Sequence, residues 1–176
     1  DLASGMILAQ GVSSPETDQL AHAMLQAHWL DDADLSDAVQ LEKLAQGLGL
    51  DAQALQDAAQ SAPILDQYRA NTAEAITAAT QELILEILSV NSLTPEDVIS
   101  VLFTSSPDLT ATFPAGAARS LGFENTPLIC SVEIDVPGAL PRTVRVMAHV
   151  ETDLSKSEIA HIYLHGAKAL RRDIAQ

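Results

Sequence analysis

The chain has 176 residues and a formal net charge of −15, with nine lysines and arginines against 24 aspartates and glutamates. A chain this acidic lacks the basic face that replaces phosphate counterions, so we expect no nucleic-acid partner. The hydrophobic fraction is 47% and the aromatic fraction is 3%, which predicts a folded core of alanine, leucine, isoleucine and valine.

No apolar run approaches the ~18 residues that would span a bilayer, so no membrane partner is expected either. Cys130 is the single cysteine, which rules out a disulfide within the chain and fits a reducing compartment. The sequence therefore favours a cytoplasmic protein.

Residues 1–68 have the pattern of helices and carry a net charge of −10. Ser14 and Pro15 are typical of a helix start, and the apolar spacing that follows continues as far as Trp29. Trp29 is expected to be the large core residue of this part. Two further helices are expected, one from about Ser36 to Gly49 and one from Asp51 to Pro63.

The pattern changes near Asn71, which with Thr72 is expected to cap a long helix over about 72–90. Beyond it the sequence alternates short apolar runs with turn residues, which is typical of strands. The expected strands are 98–104, 127–134, 142–151 and 161–165, with a short helix over 115–121. This order predicts an α+β fold with a mixed sheet, preceded by an all-helical segment.

A series of short motifs follows in order from residue 71 to residue 175. It comprises Thr94-Pro-Glu-Asp-Val98, Ser106-Pro-Asp-Leu109, Phe113-Pro-Ala115, Ala117-Ala-Arg119, Pro127-Leu-Ile-Cys130, Glu133, Arg145-Val-Met147, Thr152-Asp153, His161-Ile-Tyr-Leu164 and Ala169-Leu-Arg171. In order and spacing the series resembles the AroH class of chorismate mutases. The resemblance implies two parts, a helical segment over 1–66 and an AroH-like domain over 67–176.

The resemblance also implies a homotrimer whose active sites lie between subunits and act on chorismate. Arg145 would lie beside the ether oxygen of the breaking bond, with Glu133 as its polar partner. The implied substrate-binding residues are Arg119, Phe113, Cys130, Tyr163, Leu170 and Arg171, with Phe113 reaching in from the adjacent subunit.

The reaction of this family, rearrangement of chorismate to prephenate, is pericyclic and needs no nucleophile, general base, metal or cofactor. It is helped by holding a dianion in its reactive shape and by a fixed cation where negative charge develops. Arginine suits both tasks because it is always charged and can bind carboxylates through two parallel hydrogen bonds.

Cys130 and Glu133 pose a geometric question, because they are three residues apart. On a regular strand such residues face opposite sides. Both can reach one substrate only if the strand ends or bulges between them.

Two departures from the family concern positive charge. Members of the family begin with a strand that bears an arginine, whereas the corresponding stretch here, Ala62–Tyr68, has none and is followed only by Arg69. One hypothesis is therefore that the first strand is missing. Gly116 stands where the family usually has a lysine. A catalytically silent trimeric assembly or binding protein of the same fold is the alternative hypothesis.

The first part of the chain has a second resemblance. His28-Trp-Leu30, Leu35-Ser-Asp37 and the run from Leu44 to Asp51 resemble the helical insert of 2-hydroxychromene-2-carboxylate isomerases, which are relatives of the kappa-class glutathione transferases. The thioredoxin-like part that carries that family's active site is not in this sequence. The chain is thus interpreted as a chimera, with a glutathione-linked isomerase as a remote third hypothesis.

Overall fold

The computed structural model describes residues 1–170, and the chain folds as two compact units, residues 1–71 and the part that begins at Thr72. The helices are α1 (Leu2–Gln10), α2 (Pro15–Asp31), α3 (Ala38–Gly47), α4 (Ala52–Ala59), α5 (Ala62–Val90) and α6 (Pro114–Arg119), and the strands are β1 (Val98–Ser105), β2 (Leu128–Val132) and β3 (Val144–Val150). Short 3-10 turns occupy Pro95–Asp97 and His165–Leu170. None of the helices in this described part is long and apolar enough to cross a membrane.

The helices of the first unit begin at side-chain caps. Oxygens of Asp1, Ser14, Asp37 and Asp51 accept hydrogen bonds from backbone amides two or three residues further on, at 2.8–3.1 Å. These bonds satisfy amides that have no partner within the helix. The helices predicted from Ser14, Ser36 and Asp51 are thus found, whereas α1 was not anticipated from the sequence.

The core of the first unit is aliphatic. Met6, Leu20, Met24 and Leu41 are its largest buried side chains. The prediction that Trp29 is a core residue is wrong, because Trp29 is 75% exposed. Its edge contacts the ring of His28, with the ring centroids 5.1 Å apart. Flexible, unbranched Met side chains fill the interior instead.

Helix α5 is a continuous 29-residue helix, so the prediction of a start at Asn71 and Thr72 is wrong. Pro63 is compatible with the early start because it lies in the first turn, where a missing amide hydrogen costs no intrahelical bond. The stretch 62–68, which the resemblance led us to compare with the family's first strand, is therefore helical here. The boundary between the two units falls inside α5, whereas the division after residue 66 remains a prediction.

The second unit has the predicted α+β fold with a mixed sheet. The strand order is β2-β1-β3, with β1 parallel to β2 and antiparallel to β3. The predicted strand at 161–165 is wrong: residues 161–164 join no ladder, and His165 begins a 3-10 turn. The preceding residue, Ala160, is hydrogen bonded by the side chain of Asn91.

One face of the sheet carries the core of this unit. Val101 and Phe103 of β1 point to this face and pack with Ile84 and Leu88 of α5. Because side chains alternate along a strand, Leu102 and Thr104 point to the opposite face, which we call the outer face.

Candidate active site

Arg145 and Glu133 meet on the outer face of the sheet. The Nε atom of Arg145 lies 2.9 Å from Oε1 of Glu133, and the Thr104 hydroxyl donates to the same oxygen at 2.6 Å. The Arg145 side chain is 54% exposed and that of Glu133 is 21% exposed. Arg145 and Thr104 therefore both hold the Glu133 carboxylate. The carboxylate in turn orients the guanidinium, which faces outward.

Strand register explains why these three side chains converge. Thr104 of β1 is paired with Arg145 of β3 in the antiparallel ladder. On the other side of β1, the Glu133 amide donates to the carbonyl of Ser105 at 2.9 Å, just beyond the end of β2. Pairing on both sides of one central strand thus brings together residues that are far apart in sequence.

The arrangement suits electrostatic catalysis. A guanidinium has five N–H donors in one plane, and only the Nε atom of Arg145 lies against Glu133, in an ion pair. Within residues 1–170 no acceptor meets the other donors of Arg145. Those donors are free to face an oxygen that gains negative charge during a reaction.

Cys130 is not brought to this pair. It is paired with Phe103 across the parallel ladder, and its side chain packs against the apolar cluster on the core face. The alternation of the strand continues to Glu133, so the two side chains lie on opposite faces, as a regular strand requires.

The beginning of β3 is anchored by a loop that the sequence did not single out for this role. The amide of Thr143 donates to the Ser106 hydroxyl at 2.9 Å, and the amide of Ser106 donates to the Thr143 carbonyl at 2.9 Å. Asp108 accepts from the Arg142 amide at 3.0 Å. This loop holds the strand two residues before Arg145.

The Asp108 carboxyl is stabilised in its charged form. Burial acts to raise its pKa, but hydrogen bonds from Ser106 and from backbone amides, together with the charge of Arg142, lower the pKa below its usual value. The carboxylate also holds Arg142 in a left-handed conformation with φ of 52°, which is unusual for a residue other than glycine. Asp108 therefore stabilises a strained turn next to the site.

Phe113 and Arg119 lie at the two ends of α6. Phe113 precedes the helix and is 76% exposed, and Arg119 is its last residue and is also exposed. Gly116 lies between them on an open surface, where an added Cβ atom would meet nothing within 4 Å. Within the described part of the chain, no hydrogen bond or ion pair joins these residues to the Arg145–Glu133 pair.

The remaining predicted residues belong to the C-terminal segment. Tyr163 is half-buried, and Leu170, at the end of the described residues, is 39% exposed. Arg171 lies outside the described residues. Arg69, the base nearest to the missing first-strand arginine, lies in α5 and forms an exposed pair with Asp66 at 3.5 Å.

Thr104 is a functional candidate that sequence reasoning missed. Alternation along 98–104 places it on the same face as Ser100 and Leu102, but nothing in the sequence gives the register to the neighbouring strands. Metal binding has no comparable candidate: the described residues contain no group of three or more histidines, cysteines, aspartates or glutamates that could hold an ion.

The α+β unit that carries the exposed Arg–Glu pair belongs to a known class of protein. Residues 66–174 match the family model described as chorismate mutase type I. The match spans well over half of the chain, so the chain belongs to this family.

The relatives are more specific. The chain is 44% identical to the chorismate mutase AroH of Thermus thermophilus over 105 residues, which are 59% of this chain and 86% of the relative. It is 41% identical to the chorismate mutase AroH of Bacillus subtilis strain 168 over 106 residues, 60% of this chain and 84% of the relative.

A solved structure gives the same result. The chorismate mutase from Clostridium thermocellum is 52% identical and superposes with a TM-score of 0.55, covering 56% of this chain and 88% of that chain. The sequence-based assignment to the AroH class is thus confirmed for the second unit.

Proposed function

We propose that this chain is a chorismate mutase that rearranges chorismate to prephenate, an isomerase reaction of aromatic amino-acid biosynthesis. The observation that carries the proposal is the outward-facing guanidinium of Arg145, fixed by Glu133 and Thr104 in a chain of the chorismate mutase type I family.

The chemistry assigns a role to each member of this group. As the ether bond of chorismate breaks, its oxygen gains negative charge, and the free N–H groups of Arg145 stabilise that charge. Glu133 orients the guanidinium and accepts from the substrate hydroxyl. No proton is transferred and no covalent intermediate forms, so catalysis consists of positioning and electrostatic stabilisation.

Binding of the dianion requires further residues. Arg119 and Tyr163 are proposed to contact a carboxylate or the pocket wall, and Arg171, outside the described residues, to contribute from the C-terminal tail. Cys130 was expected at the same hydroxyl as Glu133, but its side chain packs on the core face, so we propose no contact between this side chain and the substrate.

We propose that the active protein is a homotrimer with its sites between subunits. Phe113 is exposed in the single chain, as expected of a residue that closes the pocket of a neighbouring subunit. The outer face also carries Ile129 and Met147, 64% and 54% exposed, on either side of Leu102. Adjacent exposed apolar side chains on one face favour burial against another chain.

The activity can be tested by the loss of chorismate ultraviolet absorbance. We expect turnover by the wild-type protein, and a fall in kcat of roughly 10²–10³ for Arg145→Ala, since one donor to the developing charge is lost. The matched control is Arg69→Ala, which removes an equally charged, exposed side chain of the first unit and should leave the rate unchanged.

The alternative, a silent assembly protein of the same fold, makes the opposite prediction. It is motivated by Gly116 and by the missing first-strand arginine, each of which removes a cation from the pocket. An intact trimer by light scattering, with no turnover at high protein concentration, would establish it in place of the enzyme.

A further inference from the structure

Asn91, the residue after α5, binds the backbone of a distant segment in two directions. Its Oδ1 atom accepts from the Ala160 amide at 2.8 Å, and its Nδ2 atom donates to the Ala160 carbonyl at 3.2 Å. Nδ2 also donates to the Ile87 carbonyl at 2.9 Å. Asn91 is 4% exposed. Its side-chain amide group satisfies both backbone groups of Ala160, as the backbone of a neighbouring strand would.

The end of α5 fixes the direction of this side chain. Ser92 has a left-handed backbone with φ of 53°. The Leu93 amide donates to the Leu88 carbonyl at 2.8 Å, and the Ser92 amide donates to the Ser89 carbonyl at 3.2 Å. These two bonds form a Schellman motif, which ends the helix at one defined residue. The end of the helix therefore fixes the position from which the Asn91 side chain reaches Ala160.

The same segment is bound to α5 a second time. Nε2 of His165 lies 2.9 Å from Oε2 of Glu82. Glu82 precedes Asn91 by nine residues, a rise of about 13 Å along the helix. The five residues from Ala160 to His165 reach at most about 17 Å when extended. The segment is therefore attached to the α5 region at both of its ends, and Tyr163 lies between the two attachments.

We propose that Asn91 is a positioning residue for substrate binding, because it sets the place of Tyr163 through the backbone of Ala160. This proposal rests on the proposed function for its catalytic consequence. It assigns a function to a buried polar residue that does not itself touch the substrate.

The test uses Asn91→Asp, which keeps the shape and the acceptor oxygen but removes both donors and places a negative charge beside two carbonyls. We expect hydrogen exchange of the Ala160 amide to become about tenfold faster in Asn91→Ser, whose shorter side chain no longer reaches that amide, as the loss of one hydrogen bond implies. Exchange of this amide should stay slow in Asn91→Asp, which keeps the acceptor. KM for chorismate should rise about tenfold with little change in kcat. The reason is that displacement of Tyr163 would weaken binding of the ground state and of the transition state equally.

The control is Asn125→Asp, which makes the same chemical change at an exposed position. Its exchange rates and KM should match those of the wild type. Equal changes in both variants would show an effect of charge alone and would overturn the proposal.

A double-mutant cycle with Tyr163→Phe separates positioning from general destabilisation. If Asn91 acts through Tyr163, Asn91→Asp should raise KM much less in the Tyr163→Phe background than in the wild type. Additive effects would contradict the proposal. Should Asn91→Asp not fold, KM is measured in the same way for Asn91→Ser, which adds no charge.

The exchange measurement keeps this inference distinct from the proposed function. An inactive wild type would overturn the proposed function, and with it the effect on KM, while exchange of the Ala160 amide would still decide whether Asn91 holds the segment. Unchanged exchange of this amide in Asn91→Ser would overturn the inference even if the wild type is active.

Discussion

At the scale of single residues, the Arg145–Glu133 pair depends on a third side chain, that of Thr104. Its hydroxyl donates to the same carboxylate oxygen that Arg145 binds. A hydrogen bond to a charged group contributes roughly 1.5–3 kcal/mol, less where water competes. Thr104 thus orients Glu133, and Glu133 orients the guanidinium.

Thr104→Val should therefore lower kcat/KM about tenfold, because valine has nearly the same shape but cannot donate to Glu133. The assay is the decrease in chorismate absorbance. Thr110→Val, at an exposed position in the loop before α6, is the matched control. A Thr104 variant with wild-type kinetics would show that the carboxylate is held well enough without this hydroxyl.

Gly116 is the position at which a cation can be restored. An added side chain would meet nothing within 4 Å, and lysine favours a helix more than glycine does. Gly116→Lys should lower KM for chorismate several-fold, because the pocket binds a dianion. Gly47→Lys, at an equally open glycine in α3, should leave KM unchanged, and a similar decrease in both variants would contradict a local effect.

At the scale of elements, α1 packs closely on α4 at Gly5. A Cβ atom at Gly5 would lie 3.0 Å from the Cβ atom of Ala59 and 3.1 Å from the Ala59 carbonyl oxygen. Gly5→Val should thus destabilise the first unit by about 1–3 kcal/mol, the usual cost of overpacking. Gly47→Val, where no atom lies nearby, is the control in thermal unfolding followed by circular dichroism, and equal melting temperatures would refute the close packing.

The turn before β1 makes the free energy of unfolding depend on pH through Asp97. Hydrogen bonds from the backbone and then from the side chain of Thr94 lower the pKa of Asp97. The pKa of Asp97 is therefore lower in the folded chain than in the unfolded chain. Its carboxylate makes its full contribution to the free energy of unfolding above the unfolded pKa of about 4. This contribution is lost as the pH falls through the folded value.

Asp97→Asn should accordingly lower Tm at pH 7 and make the decrease of Tm between pH 7 and pH 3 shallower. Thermal unfolding at a series of pH values measures both effects. Glu96→Gln makes the same charge change at the adjacent exposed residue and should leave the slope unaltered. A wild-type slope in Asp97→Asn would rule out this linkage.

Local pattern predicted most of the elements but not their limits. The N-caps at Ser14 and Asp51 and the apolar run of β1 are local signals, and the corresponding elements are present. The start of α5 was misplaced because Asn71 is a good cap in isolation, whereas the helix was already formed upstream. The segment 161–165 has strand-like residues but pairs with no strand, and the residue before it, Ala160, is bound by a side chain 69 residues away.

The site shows the same limit. The resemblance to known mutases identified Arg145 and Glu133, and the structure brings them together. Thr104 and Asp108 were not identified, because their roles depend on strand register and on a loop contact across 34 residues. Such contacts cannot be inferred from spacing along one chain.

At the scale of the whole molecule, we propose that other copies of the chain complete the site. Arg145 is 54% exposed and Phe113 is 76% exposed in the single chain, which leaves the guanidinium open to water. Exclusion of water strengthens electrostatic interactions in a site. We therefore expect light scattering to give about three times the chain mass of 18.6 kDa, and a monomeric mass would contradict the shared pocket.

The most direct test of the central claim is a progress curve for the wild-type protein with chorismate, followed by identification of the product. The account predicts a steady loss of chorismate absorbance, formation of prephenate in equal amount, and a rate that depends on the Arg145 guanidinium. A flat curve at high protein concentration, from a protein shown to be folded and trimeric, would contradict it.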